Sequence, residues 1–494
     1  MKSIAFATAV LLSCVSTAVC GTDKSNVTKP AGSKQILPAN FKPPQVFKNA
    51  NLVHIINLEK SYPKESINVV IENIASTPQN EYFLPFTSSQ MEKIGVLEVK
   101  DRKDPNSPLF EVEPMEIDSE SDIQFYRIRL PSPLAPKAQQ TIGINYAFLS
   151  SLSPLPTAIN QQDPQYLIYE FSASCPSAYD TVKQKTEVKF PSTNIKEHTI
   201  IAGVEGKSEF PEKQGSKWTY GPFGEVPAGA VEPVDVRYEF TKPVIHVSKL
   251  ERDIEVSHWG GNVAFEERYT LHNRAANLSK NFDRVEWARN QYFNPPTTAI
   301  KQLTFPLRVG SLTPYFTDVI GNVSTSRFRS NKREALLELR PRYPIFGGWN
   351  YPFRVGWDAD TPKFLRKLKS GDGYILNVPF LEGPKQSEGV TYEDVEVRVI
   401  LPEGATNVAF HTTVPITSST ITTHKTFMDT IGRTMLVLRA RNLIDDVRDR
   451  ELIVTYDYPF LAGLRKPLVV FGSMVTLFVA TWIVGSLDTR ITSK

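Results

Sequence analysis

The chain has 494 residues, of which 56 are basic and 53 acidic, giving a formal charge of +3. That near balance leaves no basic footprint for nucleic acid, and the length is ample for two or three domains with cores of their own. Only three cysteines occur, Cys14, Cys20 and Cys175, so at most one disulfide is expected to help burial and hydrogen bonding hold the body together.

The first twenty residues read as a secretory signal peptide: Lys2, an apolar run from Ile4 to Val15, then small residues through Cys20. Cleavage after Ala18 and cleavage after Cys20 both fit. Residues 21–50 follow as an extended lead-in, polar and Pro-containing between Asn26 and Pro44.

From there on, short runs alternate apolar and polar residues and end at Pro, Gly or Asn. Examples are Ile67–Glu72, Gln124–Leu130, Thr141–Tyr146, Val395–Leu401 and Leu452–Tyr458. Period-two alternation with β-branched and aromatic residues predicts half-buried strands, and the 37 prolines work against long helices. The halves also echo each other at a spacing of about 210 residues. The segment at Tyr126 resembles that at Leu336, Thr141 that at Phe353, Thr186 that at Val395, and Val234 that at Leu452, in the same order. The expected fold is therefore all-β: two similar tandem β-rich domains, 51–240 and 244–460, followed by one C-terminal membrane helix.

Familiar catalytic designs are missing from the sequence. None of the seven His opens a His-Glu-x-x-His pair or lies within five residues of another. Asp358-Ala-Asp360 has a spacing used to hold divalent cations, but between Trp357 and Thr361-Pro362 it reads as a strand end and turn. There is no phosphate-cradling Gly-rich loop and no nucleophile elbow. Cys175, followed by Pro176 and without a neighbouring His, reads as a buried thiol, and Lys363, Arg366, Lys367 and Lys369 read as a solvated basic face. No catalytic, cofactor-binding or metal-binding residue is expected.

Leu468–Leu487 is an uncharged run of twenty residues, long enough at about 1.5 Å per residue to span a hydrocarbon layer of roughly 30 Å. Basic residues flank it on both sides, so the signal peptide decides orientation: the body is expected in the lumen and 488–494 in the cytosol. Within the run Gly472, Thr476 and Ala480 recur every four residues, a face against which another helix can pack closely. Three sequons, at Asn26, Asn277 and Asn322, are candidate N-glycan acceptors that suit a lumenal body.

Several longer runs carry a family resemblance. Glu255-Val-Ser-His-Trp-Gly, preceded by Tyr220-Gly-Pro-Phe, is followed in order by Asp318-Val-Ile-Gly-Asn-Val-Ser-Thr-Ser, Leu339-Arg-Pro-Arg-Tyr-Pro-Ile-Phe-Gly-Gly-Trp, Ile400-Leu-Pro-Glu-Gly-Ala, Asp429-Thr-Ile-Gly-Arg and a Leu487-Asp488 exit from the span. Over Tyr220 to Asp488 the chain resembles the ribophorin I family. The resemblance implies an endoplasmic-reticulum membrane subunit of the oligosaccharyltransferase complex, which moves a preassembled oligosaccharide from dolichyl pyrophosphate to Asn in sequons. It implies an accessory role in assembly and substrate presentation, with catalysis and its metal in a separate multispanning subunit. Implied partners are the catalytic and other subunits, nascent polypeptide and the membrane, with the translocon as a further candidate. Asn322 falls on the family's own sequon, which makes it the first glycan acceptor to back, and the cytosolic extension of longer members has no counterpart here. The competing expectations are an independent type I lectin or chaperone, which requires a retrieval signal of its own, and a degenerate metallopeptidase-like scaffold, which requires traces of a zinc helix.

Overall fold

The computed structural model describes residues 38, 41–104, 107–115, 121–202, 209–293, 295–369, 371–426 and 429–487. The expected signal peptide, Asn26 and the 488–494 tail lie outside these. Strands dominate, and the inward residues alternate as the sequence pattern requires: in Lys64–Asn73 every second side chain is buried.

Two seven-stranded sheets form the backbone of the body. The first is built from β1 (Phe47–Asn57), β2 (Lys64–Asn73), β3 (Ile94–Asp101), β4 (Gln139–Phe148), β5 (Gln184–Lys189), β6 (Glu212–Gln214) and β7 (Lys217–Phe223). The second contains β8 (Ile245–Ser257), β9 (Asn262–Asn273), β10 (Ser311–Asp318), β11 (Asn350–Asp360), β12 (Val390–Glu403), β13 (Ser418–His424) and β14 (Arg433–Ile444). Their orders are β3-β4-β2-β1-β5-β7-β6 and β10-β11-β9-β8-β12-β14-β13, so each strand of one has its counterpart seven places later in the other. In both, the first strand pairs antiparallel with the second and parallel with the fifth.

Smaller sheets repeat as well. A three-stranded sheet centred on Ile123–Leu134 has a counterpart centred on Ala335–Leu339, and a four-stranded sheet containing Pro233–Glu239 has one containing Glu451–Asp457. All four sequence echoes fall on strands at equivalent places. In the first unit the inward face of β1 is covered near Leu52 by the three-stranded sheet and near Ile56 by the four-stranded one. Between them lies a buried polar site: the Glu65 carboxylate accepts from Tyr169 at 2.5 Å and Tyr146 at 2.8 Å and meets His54 at 2.8 Å.

Two boundaries differ from the sequence reading. The extended lead-in ends earlier than residue 50, because Phe47 is buried against Tyr82 and Tyr179 and already belongs to β1. A register shift between Asn49 and Asn51 interrupts the alternation that would have revealed it. The terminal helix begins at Phe460, eight residues before the apolar run, and so includes Arg465, Lys466 and Pro467.

The units share a polar seam. Lys60 pairs with Asp445 at 2.9 Å, Tyr62 donates to Asp445 at 2.5 Å, and Ser61 N–H donates to the Glu388 carbonyl at 2.7 Å. Asn442 donates to the Glu92 carbonyl at 2.7 Å, and a Cβ at Gly95 would stand 2.1 Å from the Asn442 carbonyl oxygen. Only glycine permits that approach.

At the start of the second unit His246 is buried between Thr391 and Glu393, each at 3.0 Å. Burial and then the Arg274 charge, together with His272, outweigh Glu393 and push its pKa down to about 4. The unfolded imidazole, near 6.5, therefore takes up a proton that the folded one refuses, so stability is lost as pH falls from about 6.5 towards 4. The expected loss is roughly 2 kcal/mol by pH 5. Denaturant unfolding of the detergent-solubilised chain at pH 7 and pH 5 checks this, and His246→Gln should flatten the dependence.

Candidate functional site

Three of the motif runs converge where the second unit meets the terminal helix. The β8–β9 turn brings His258 and Trp259, the end of β12 brings Glu403 and Gly404, and the segment entering β14 brings Asp429 to Arg433. Together with the first turns of the helix they form a collar around a cavity of about 330 Å³.

The helix creates a local problem that Trp259 solves. Pro467 has no N–H, so the carbonyl four residues earlier, at Gly463, loses its helical partner. The Trp259 indole N–H, itself on a largely exposed ring, donates to that carbonyl at 2.7 Å. Trp259→Phe is expected to cost about 1 kcal/mol by removing this exposed bond, and to cost little beside Pro467→Ala, which restores the N–H. Amide exchange in the first helical turns of the two single variants and the double variant measures this coupling.

Charge locks the same joint. The Asp429 carboxylate accepts from Lys466 at 2.7 Å and from the Thr426 backbone at 2.9 Å and hydroxyl at 2.7 Å. Arg433 approaches it at 3.4 Å and also pairs with Glu255. Burial alone would raise the Asp429 pKa, but these donors hold it well below the usual carboxylate range. Glu403 likewise sits low despite burial: its Oε1 accepts from the Thr430 N–H and hydroxyl and the Ile431 N–H at 2.6 to 2.8 Å. Gly404, at φ +93°, lies close enough to Ala462 that a Cβ would come within 2.8 Å of it. His258 meets the Tyr456 hydroxyl at 2.9 Å and packs on Tyr374 and Tyr458, and burial pushes its pKa down.

Two further motif runs meet at a second joint, the turn after β10. Asp318 accepts from the Ile320 and Gly321 N–H groups, from Arg342 at 2.6 Å and from Tyr351 at 3.2 Å. Arg342 also donates to the Asn322 carbonyl at 2.8 Å. The clamp leaves Asn322 exposed and holds Val319 and Ile320 out, 82% and 76% accessible.

The other expected sites are dispersed. Asn277 lies in the seam between units, paired in parallel with Ala158, its side chain against Gly348. Gly472, Thr476 and Ala480 are exposed on the terminal helix; Thr476 and Ala480 line a groove with Ser473, Leu477, Thr481, Val484 and Gly485. Asp358, two residues before the end of β11, accepts from Asn262 and Thr313, and Asp360, the strand's last residue, approaches Lys363 at 4.0 Å. Cys175 is buried and its thiol pKa is pushed up by burial. Among the described residues no three His, Cys, Asp or Glu side chains converge on a metal position. Sequence reasoning quoted Trp259 and Glu403 only as parts of motifs. The legible signal was Pro467, which requires a donor for Gly463.

The family model described as Ribophorin I matches residues 47–485. A Schizosaccharomyces pombe protein named dolichyl-diphosphooligosaccharide–protein glycosyltransferase subunit 1 is 29% identical over 442 residues, 89% of this chain and 95% of that one. The Caenorhabditis elegans protein of the same name is 29% identical, covering 90% and 73% respectively, and Arabidopsis thaliana subunit 1B is 29% identical, covering 92% and 96%. Among solved structures, the M1 zinc metallopeptidase from Deinococcus radiodurans aligns over 42% of each chain at 14% identity with a TM-score of 0.26, too remote to support an argument. The family match spans both β units and enters the terminal helix, and the chain belongs to the ribophorin I family.

Proposed function

We infer that the chain is a non-catalytic subunit of the dolichyl-diphosphooligosaccharide–protein glycosyltransferase complex in the endoplasmic-reticulum membrane. It stands as a lumenal wall made of two tandem β units, 51–240 and 244–460, beside a separate multispanning catalytic subunit. The observation that carries this reading is where the family motifs fall: they build two mechanical joints, one clamping the second unit to the membrane helix and one shaping the Val319–Asn322 turn. Relatives named as subunit 1 over nearly the whole chain support the same assignment.

In this role the terminal helix crosses the membrane once, leaving residues 488–494 in the cytosol, and its Gly472, Thr476 and Ala480 face docks among neighbouring helices. Asn322 is the first glycan acceptor, supported by its exposed turn; Asn277 and Asn26 follow. Open sheet edges present nascent polypeptide as an added strand, a mode that needs little sequence specificity and so suits a pool defined only by a short sequon. The edge strands β6 and β13 offer such backbone in each unit. Photocrosslinkers at Lys213 and Thr420 during translocation test presentation: adducts with nascent chains support it, and adducts with subunits alone at both positions reject it.

A further inference from the structure

We propose that the hairpin carrying Arg366, Lys367 and Lys369 is a contact surface for anionic phospholipid headgroups of the membrane that the terminal helix enters. The proposal rests on the reading of that helix as a membrane span.

Topology sets the position. Leu365–Lys367 pairs antiparallel with Gly373–Pro379, Lys367 standing opposite Tyr374, and Gly373–Pro379 pairs in turn with Glu451–Asp457, Gly373 opposite Asp457. Glu451–Asp457 leads directly into the helix at Phe460, so the tip between Lys367 and Gly373 stands at the helix entry. Two bonds fix it there: Leu368 N–H donates to the Gly373 carbonyl and Tyr458 N–H to the Asp372 carbonyl, each at 2.9 Å. The helix runs from Phe460 to the start of the uncharged run at Leu468 before it reaches hydrocarbon. At about 1.5 Å per residue this puts the tip about 12 Å above the hydrocarbon edge. A headgroup layer roughly 5 to 7 Å thick closes part of that gap, and the remainder is within a Debye length of about 8 Å.

Charge decides the partner. Over 361–373 the basic residues Lys363, Arg366, Lys367 and Lys369 face a single acidic one, Asp372, and all four are exposed. Lys363 approaches Asp360 only at 4.0 Å, and among the described residues no carboxylate pairs with the other three. Arg366 turns Nη1 to the Leu365 carbonyl at 3.1 Å, and the Lys367 ammonium lies over the Tyr374 ring at 5.7 Å. On the open face of the large sheet in the same unit, cations are matched: Arg268 pairs with Glu266, Arg398 with Asp253 and Arg439 with Glu396. An unmatched cationic tip beside a bilayer takes its anions from lipid phosphates, which Arg meets through paired N–H donors and Lys as a point charge. Leu368, 45% accessible between Lys367 and Lys369, adds the apolar contact that lets such a tip rest on the interface.

The full chain with Leu368→benzoylphenylalanine, reconstituted in nanodiscs of phosphatidylcholine and phosphatidylinositol and irradiated, tests the contact, the adducts being identified by mass spectrometry. The expected result is a several-fold excess of phosphatidylinositol adducts over that lipid's share of the mixture. The excess should vanish in raised salt, and also when Arg366→Gln, Lys367→Gln and Lys369→Gln are combined. All three side chains are exposed, so the combined variant keeps the fold. A chain that enters nanodiscs yet gives no lipid adduct, adducts in proportion to the mixture, or an excess that survives neutralisation would overturn the contact alone. Irradiation in microsomes that gave adducts with a protein and none with lipid would overturn it in favour of an acidic partner chain. Failure to enter nanodiscs at all would overturn the membrane span, and the contact with it.

Discussion

Replacing Arg252 with Met is expected to destabilise the second β unit by about 3 to 5 kcal/mol, read as a lower midpoint in denaturant unfolding of the detergent-solubilised chain. Arg252 is fully buried and pairs with Glu267 and with Glu382 at 2.7 Å; the nitrogen that reaches Glu382 also donates to the Pro379 carbonyl at 3.3 Å, while Nε has no hydrogen-bond partner among the described residues. The rings of Phe265 and Trp357 lie over the guanidinium at 5.1 and 5.7 Å. Removing the cation strands two carboxylates in a low-dielectric core, and that unpaired charge supplies most of the cost. Converting the whole cluster, with Glu267→Leu and Glu382→Leu added, should therefore recover most of the loss. A single substitution that cost no more than an ordinary surface change would show that the cluster is hydrated and the core description wrong.

The second large effect is expected at Asp429. Its carboxylate is wholly inaccessible and gathers Lys466 from the helix and Arg433 from β14, so Asp429→Ala leaves two cations without their common anion. The cost is about 2 kcal/mol, below that of breaking a fully buried pair because Lys466 is 36% exposed and Arg433 keeps Glu255, and it falls on the attachment of helix to body rather than on either sheet. Spin labels at Thr422 on β13 and Leu477 on the helix should report one narrow distance in the wild type and a broad distribution in the variant. Asp429→Asn should fall between, since it keeps the contacts to Thr426 and loses the charge.

These two positions also show what the sequence could and could not tell. The strands were legible because burial on one sheet face writes itself as period-two alternation, as in β2 and in Glu451–Asp457. The internal echo was legible because equivalent strands of the two sheets keep the same inward pattern, so the Thr186 and Val395 segments occupy the same parallel position beside their first strands. The motif runs could be recognised, but not what they do. Arg252 meets Glu382 across 130 positions and Trp259 meets Gly463 across 204, and no local periodicity encodes such pairs. The start of β1 was hidden because its early residues, Lys48, Asn49 and Ala50, dilute the single buried aromatic Phe47. Residues 460–467 were missed as helix because Arg465, Lys466 and Pro467 read as the polar border of the span, whereas the collar supplies partners for Lys466 and for the carbonyl that Pro467 frees.

The central claim, an accessory subunit that holds a lumenal β wall beside a separate catalytic chain, is tested most directly by mild-detergent purification through this chain. Mass spectrometry and a peptide-glycosylation assay are then run on the eluate. The account predicts recovery of a multispanning subunit with sequon-dependent oligosaccharide transfer, and loss of that activity from extracts depleted of this chain. Recovery of the chain alone, or with glycoprotein clients and no transferase activity, would contradict it and favour an independent lectin or chaperone.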